Sequence, residues 1–432
     1  MEDSSKIQFN ENSDRKVKTK KQPLLKYILN IFCFLPIHFS YDKILNKSIK
    51  LDINSKNDKE KENKKFKNIR NTGIDMARLV SMYTIVLFHY LFFGKASKMF
   101  PQYKRKITFI TSFITWHNGA FILISGIVGY KSYKYSNLLY LWFTVLFYKV
   151  LIRNFTLYFK KGFVIRDPIY KNYYPIIFNR YWYFTTYFGM YLFLPLINKG
   201  IDYSSKYEFR LVVLTTLFIF VFWNEYKNPN EDIFHMNKGC SIVWFLTFYL
   251  TGAYIGKYRV DYNGFKKYIY CFTNLVIFAF VSYLYFKVLN NEFYFTIGNL
   301  EIKLPITLKI MINEKLNSFV KSIQSITICL FFMQIHYNKY ISKIITFIGP
   351  LVFGIYLIHM DNIIKDNIIM HIFDNLPKNI LFNSLISMLL LKSFKMCIFC
   401  LAFDYLRYLL FSFLRLKKIL ILIEIKMKQK LS

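Results

Sequence analysis

The sequence predicts an all-α, polytopic membrane protein with about ten transmembrane helices, and three observations carry that expectation. First, 54% of its 432 residues are hydrophobic and 20% aromatic while only 19% are charged, and a water-soluble domain has too little interior for so many Phe and Tyr. Second, the apolar residues fall in runs close to the roughly 20 residues that cross a bilayer. Third, the Lys and Arg behind the formal net charge of +34 gather in tails and in short loops between those runs. That is how membrane topology is encoded. It sets nucleic acid aside and makes the lipid bilayer the expected partner.

The chain divides into three parts. Residues 1–67 form a polar tail, with a basic patch at Arg15, Lys16, Lys18, Lys20 and Lys21 and a Lys/Glu/Asn-rich stretch from Ser55 to Lys67. Such composition predicts disorder. The exception is the apolar segment 23–39, PLLKYILNIFCFLPIHF, which Lys26 and Pro36 interrupt; it is expected to lie in the membrane interface rather than to span. The first residues are acidic and polar, which predicts no signal peptide. Residues 68–415 hold the membrane helices, and 416–432 form a basic tail.

Ten runs fill the middle part. The first is Ile74 to Phe93, followed by a short basic loop from Gly94 to Lys106. The second extends from about Thr108 to Tyr130 and the third from about Asn137 to Phe159. A loop from Lys160 to Arg180, with Pro168, Pro175 and several tyrosines, leads to the fourth, centred on Tyr181 to Asn198. The fifth is about Arg210 to Trp223, the sixth Cys240 to Lys257 and the seventh Tyr268 to Lys287. The long connection from Val288 to Phe319, with Gly298, Pro305 and several charges, is either a lid or a solvated loop. The eighth is Val320 to His336, the ninth Ile344 to Met360, and the tenth Leu381 to Leu410, overlong and interrupted by Lys392 and Lys395. An even number places both termini on one side, and their lysines make that side cytosolic by the positive-inside rule.

The first run carries Asp75, Arg78 and His89. A charge near the centre of a bare membrane helix costs at least about 2.5–3.5 kcal/mol, so such groups have a partner or a function. Arg78 and His89 are eleven residues apart, three turns plus about 20°, so they share one stripe of the helix and stand roughly 16 Å apart. Two readings fit. Either Arg78 snorkels to the headgroups and His89 bonds a neighbouring helix, or Arg78 holds an anionic substrate while His89 performs proton transfer or acyl chemistry deeper in. Asp75, one turn before Arg78, most simply pairs with it. His117 opens the second helix and either meets His89 at one level or caps a helix. Ser125-Gly126 is a small pair that permits close approach of another backbone. The cysteines (Cys33, Cys240, Cys271, Cys329, Cys397 and Cys400) lie mostly in apolar runs, where a thiol behaves as a small hydrophobe. Cys397-x-x-Cys400 has metal-knuckle spacing but no second pair, so it reads as packing and no metal site is expected.

A resemblance chooses between the readings of Arg78 and His89. Arg-x10-His within GIDMARLVSMYTIVLFHY resembles the opening of the acyltransferase-3 family of integral membrane acyltransferases. Four further stretches fit in order. FILISGIVGYK (Phe121 to Lys131) is similar to its second-helix Phe-x-x-x-Ser-Gly segment with a trailing basic residue. YWYFTTYFGMYLFLPLIN (Tyr181 to Asn198) is similar to a segment of the branch that decorates surface polysaccharides, although Tyr183-Phe184-Thr185 stands where Phe-Leu-Thr is commoner. WFLTFYLTGAYIGKY (Trp244 to Tyr258) and FGIYLIH (Phe353 to His359) resemble later helices; beyond these four, Asp404-Tyr405-Leu406-Arg407 resembles the closing segment. The resemblance covers roughly residues 68–415; the long N-terminal tail departs from the pattern.

What the resemblance implies is specific. An acyl group, usually acetyl, passes from cytosolic acyl-CoA, which is a donor substrate and not a bound cofactor, to a hydroxyl of a glycan or glycolipid beyond the membrane. His89 and Arg78 are then the expected catalytic pair. Arg78 would hold the donor phosphates, helped by Lys131, since guanidinium and phosphate pair in a fork. His89 would act as general base or as a transient acyl carrier. Ser125, His117, Trp182 and His359 are expected near substrate, with a capping role as the alternative for His359. The rival class is a multi-pass transporter or flippase, which often shows paired Gly/Pro-broken helices in internal repeats; none is visible.

Overall fold

The first membrane helix begins where Asn71 can cap it: its side-chain oxygen accepts from the Ile74 N–H at 3.1 Å while its amide donates to Met333 O at 3.0 Å. One residue thus closes a helix N-terminus and ties it to the end of another helix. A computed structural model describes residues 70–431, except 132, 160–161, 166–167, 224–231, 233, 291, 293, 298–299, 304–314 and 316–317. The expectations for the tail 1–67, with its segment 23–39 and Cys33, lie outside the described residues.

The membrane part runs α1 Thr72–Phe93, α2 Ala96–Met99, α3 Lys104–Ile114, α4 His117–Gly129, α5 Tyr135–Phe159, α6 Tyr170–Tyr173 and α7 Trp182–Tyr203. It continues with α8 Lys206–Leu217, extended by a π turn at Phe218–Trp223, then α9 Ile242–Lys257 and α10 Gly264–Leu289. A hairpin of β1 Tyr294–Ile297 and β2 Leu300–Lys303 occupies part of the long connection, with Tyr294 opposite Lys303. Gly298, Pro305 and most of the rest of that connection lie outside the described residues. After it come α11 Phe319–Met333, α12 Lys339–Ile348, α13 Val352–His359, α14 Asn362–Ile364 followed by a π turn at Lys365–Ile369, α15 Phe382–Phe413 and α16 Leu416–Leu431.

The protein is an all-α membrane protein. Among the described residues six helical stretches are long and apolar enough to cross a bilayer: Thr72–Phe93, Pro101–Gly129, Tyr135–Phe159, Gly264–Leu289, Lys339–His359 and Phe382–Phe413. The other four of the ten expected runs also form helices but fall short of that standard. α9 and α11 have only 16 and 15 residues, about 24 and 22 Å at 1.5 Å per residue, less than the ~30 Å hydrocarbon core.

Two differences from the sequence expectation have a clear physical origin. The second expected helix is broken at Thr115-Trp116 into α3 and α4. Carbonyls freed by a break inside a membrane must find other donors, and they do. The imidazole Nδ1 of His117 bonds Ile114 O at 2.6 Å, Ser325 Oγ donates to Trp116 O at 2.7 Å, and Gln324 Nε2 donates to Ser112 O at 2.8 Å. The second difference is the C-terminus, which is a helix, α16, rather than a plain tail. It docks on α5 through the Ser136 N–H, which donates to Glu424 Oε2 at 2.9 Å.

α4 and α9 pack with their backbones almost touching. A Cβ built on Gly126 would lie 2.1 Å from Tyr249 O, and one on Gly252 2.0 Å from Leu123 O. Small residues are what make such an approach possible. Two apolar clusters follow: one gathers α4, α7, α9 and α11, the other α1, α5, α13 and α15. α1 touches helices of both and is the centre of the bundle. Large apolar side chains such as Phe272 and Phe280 on α10, and Phe394 and Phe399 on α15, stay exposed. On a soluble protein they would form an oversized apolar surface; here they face lipid.

Candidate active site

α1 sets the axis of the site. Its first turn lies at the near face of the bundle, beside Gly349, where a Cβ would come within 3.0 Å of the Arg70 guanidinium and 3.3 Å of Asp75 Oδ1. Asp75 is buried and shared by two arginines: Arg70 Nε donates to Oδ2 at 2.5 Å and Arg78 Nη1 to Oδ1 at 2.7 Å. Two guanidiniums on one carboxylate leave a formal charge of +1. Arg78 remains partly open, with 24% of its side chain exposed, so donors are left over for a ligand. Lys131 follows α4, is exposed, and lies 5.5 Å from the Tyr130 ring centroid.

At the far end of α1, His89 meets His359. The Nδ1 of His89 is 2.9 Å from Nε2 of His359, and the Nδ1 of His359 is 2.6 Å from Ile355 O. A carbonyl oxygen only accepts, so His359 carries its proton on Nδ1. In a neutral imidazole the other nitrogen is then an acceptor, so His89 must donate from Nδ1. That fixes its tautomer and turns the Nε2 lone pair of His89 toward whatever enters the site. Among the described residues that nitrogen has no hydrogen bond. A base whose free nitrogen is set by the bond its other nitrogen makes is how histidines are prepared for proton transfer.

The α13 end that carries His359 is held by a buried ion pair. Lys149 Nζ donates to Asp361 Oδ2 at 2.6 Å, and both side chains are almost fully buried, at 2% and 3% exposed. Lys149 also sits 4.5 Å over the Tyr181 ring, and the Tyr181 hydroxyl reaches Leu357 O at 2.8 Å and Asp361 Oδ2 at 3.2 Å. Asp361 caps the next turn through the Ile363 N–H at 3.0 Å. A second buried ion pair lies on α15: Asp404 accepts from Arg407 through both carboxylate oxygens, at 2.7 and 2.8 Å, and from the Tyr148 hydroxyl at 2.8 Å.

The remaining candidates are placed as follows. His117 is buried, and its ring and that of His89 flank Phe88, at centroid distances of 5.5 and 5.8 Å. Its Nδ1 is committed to Ile114 O, so it terminates a helix and stands beside, not within, the His89–His359 pair. Ser125 donates to Phe121 O at 2.9 Å, and Tyr187 of α7, which the sequence did not single out, lies within electrostatic reach of Ser125 and Arg78. Trp182 opens α7 and packs 5.6 Å from Tyr183 and 6.4 Å from Phe245. Cys397 and Cys400 are buried in α15. Lys149, Asp361 and Tyr181 were also missed, because a lone lysine in an apolar run looks like an interruption and its partner is 212 residues away.

Comparison with known proteins bears on these residues together. The sequence profile of a family described as an acyltransferase domain matches residues 71–405, which takes in Asp75, Arg78, His89 and His359 in one span. Neither the curated proteins nor the solved structures give a match.

Proposed function

Because the chain belongs to the acyltransferase-3 family and is a membrane acyltransferase, we propose that it transfers an acetyl group from cytosolic acetyl-CoA to a hydroxyl of a glycan or glycolipid on the far side of the membrane. The observation that carries this reading is the His89–His359 pair, which leaves one imidazole nitrogen free at the far end of α1. Both termini are then cytosolic, and the near face is the donor side. The Arg70–Asp75–Arg78 cluster, with its residual positive charge, suits the phosphates of CoA, and Lys131 adds to it on the same face. Arg78 and His89 are about 16 Å apart along the helix, a gap for the pantetheine arm to bridge so that the thioester arrives at the histidine.

The chemistry then balances simply. The acceptor hydroxyl gives its proton to Nε2 of His89 as its oxygen attacks the thioester carbonyl. The C–S bond breaks, and the departing thiolate takes that proton back. His359 holds His89 in the required tautomer and shares the positive charge that His89 gains in between, as the third member of a nucleophile–base–orienter set does. The same lone pair offers a second route, in which His89 attacks the thioester and carries the acetyl group as an acyl-imidazole. Hydroxylamine distinguishes the routes, since it releases label from an acyl-imidazole on quenched protein.

The test uses the protein in lipid vesicles with radiolabelled acetyl-CoA on one side. Label should reach a carbohydrate-containing product in wild type and be lost in His89→Ala. No label in wild type with several acyl donors would favour the transporter reading instead.

A further inference from the structure

A groove of about 280 Å³ opens between α1, the far-side end of α13, the π turn after α14, and α15; it is lined by residues one position along the chain from the two histidines rather than by the histidines themselves. Its inner wall is Tyr90 and Ile358, the chain neighbours of His89 and His359. Its floor and outer wall are Ile364, Ile368, Ile372, Met396 and Phe399, of which Phe399 is half exposed on the surface that faces lipid. The only charged groups lining it, among the described residues, are Lys392 and Lys395. These stand ten and thirteen residues into α15, about 15 and 20 Å along its axis. Lys392 makes one long contact, 3.4 Å to Ile372 O, and Lys395 has no partner among the described residues. Two ammonium groups at the rim of an apolar groove open to lipid are costly there without an anion. An apolar trough with a cationic rim is complementary to an amphiphile: a hydrocarbon chain and an anionic headgroup.

We propose that this groove seats a lipid with a phosphate headgroup, its chain along Ile364, Ile368 and Phe399 and its phosphate at Lys392 and Lys395. The sugar or alcohol beyond the phosphate is thereby delivered to His89. This inference rests on the acyltransferase reading and narrows its acceptor to a lipid-linked one. The groove explains why α15 keeps lysines inside a stretch that is otherwise apolar, and why the wall of the groove is built from residues adjoining both histidines. The π turn Lys365–Ile369 contributes Ile368 to it, and π turns recur at functional sites.

The experiment compares three probes on the purified full-length protein in neutral detergent. They are fluorescent phosphatidic acid, diacylglycerol with the same chains, and glycerol phosphate. Phosphatidic acid should bind about 10–30-fold more tightly than diacylglycerol, since each lysine facing an anionic headgroup contributes on the order of fivefold. The double variant Lys392→Gln/Lys395→Gln should abolish that preference, and Ile368→Trp should weaken both lipids by filling the trough. Glycerol phosphate should not displace the lipid. Equal binding of the two lipids, an unchanged double variant, or displacement by glycerol phosphate would each overturn the proposal. Membranes then receive labelled acetyl-CoA. Label extracted into the organic phase, and lost in both His89→Ala and the lysine double variant, supports lipid-linked delivery. Label only in a water-soluble glycan, unaffected by the lysine variant, overturns delivery while leaving the acyltransferase reading intact. Selective lipid binding with no label anywhere keeps the groove and overturns that reading.

Discussion

His359 decides what His89 can do, because the Ile355 carbonyl leaves its Nε2 as an acceptor and so dictates which nitrogen of His89 is free. Removing His89 should lower transfer by about 10²–10⁴-fold, the usual contribution of a general base. His359→Ala should fall in the same range, and the double variant should be no worse than the weaker single one, since residues that act as a unit are non-additive. Additive losses, read from initial rates of label transfer, would mean that the two histidines act separately. The Lys149–Asp361 pair makes a different kind of claim. Breaking a buried pair from one side costs about 3–5 kcal/mol, whereas replacing both members by apolar residues is often neutral. Lys149→Met should therefore unfold in detergent at markedly lower temperature than Lys149→Met/Asp361→Leu. If the double variant proves as unstable as the single one, the pair does more than neutralise itself.

At the scale of elements, the two most informative features are a break and a near-contact. The α3–α4 break was not legible in the sequence, because no Pro or Gly stands at Thr115-Trp116. It is maintained from outside by Gln324 and Ser325 on α11 and from within by His117. The glycine contact was half legible: Ser125-Gly126 announced a close approach, but Gly252 as the other half lies in a different motif. Gly252→Val should cost about 1–3 kcal/mol or more through overpacking, seen as a lower melting midpoint. Gly129→Ala should be nearly neutral, its Cβ coming no closer than 3.6 Å to Tyr249. α16 offers a pH test outside the membrane. Burial works against ionisation of Glu424, but hydrogen bonds from Lys428 and Ser136 prevail and bring its pKa down to about 2 from 4.5. A depressed carboxylate stabilises docking fully above the unfolded value, and that contribution is lost as pH falls from about 4.5 through 2. Hydrogen exchange in 416–431 should rise over that window in wild type and be raised already at pH 7 in Glu424→Gln. Exchange that is the same in both proteins at every pH would detach Glu424 from the docking.

For the whole molecule, composition and run length disclosed an all-α membrane protein at once, because the bilayer constrains every residue of a span alike. They disclosed the short helices less well. α9 and α11 are packed on most sides by other helices, so their apolar runs look like spans although they are too short to cross alone. The residues of the site divide in the same way. Asp75, Arg78 and His89 share one helix, and their spacing could be read directly. His359 lies 270 residues from His89, Lys149 sits in an apolar run, and Tyr187 is one tyrosine among 35. No periodicity joins them; only the fold does, and it brings α13 alongside α1 so that Gly349 meets Asp75 at one end and His359 meets His89 at the other.

The most direct measurement is the rate of acetyl transfer from labelled acetyl-CoA by purified wild type, His89→Ala and His359→Ala, each shown by its melting profile to be folded. Transfer is expected in wild type, with a loss of about 10²–10⁴-fold in both variants. A folded His89→Ala protein that transfers at the wild-type rate would contradict this.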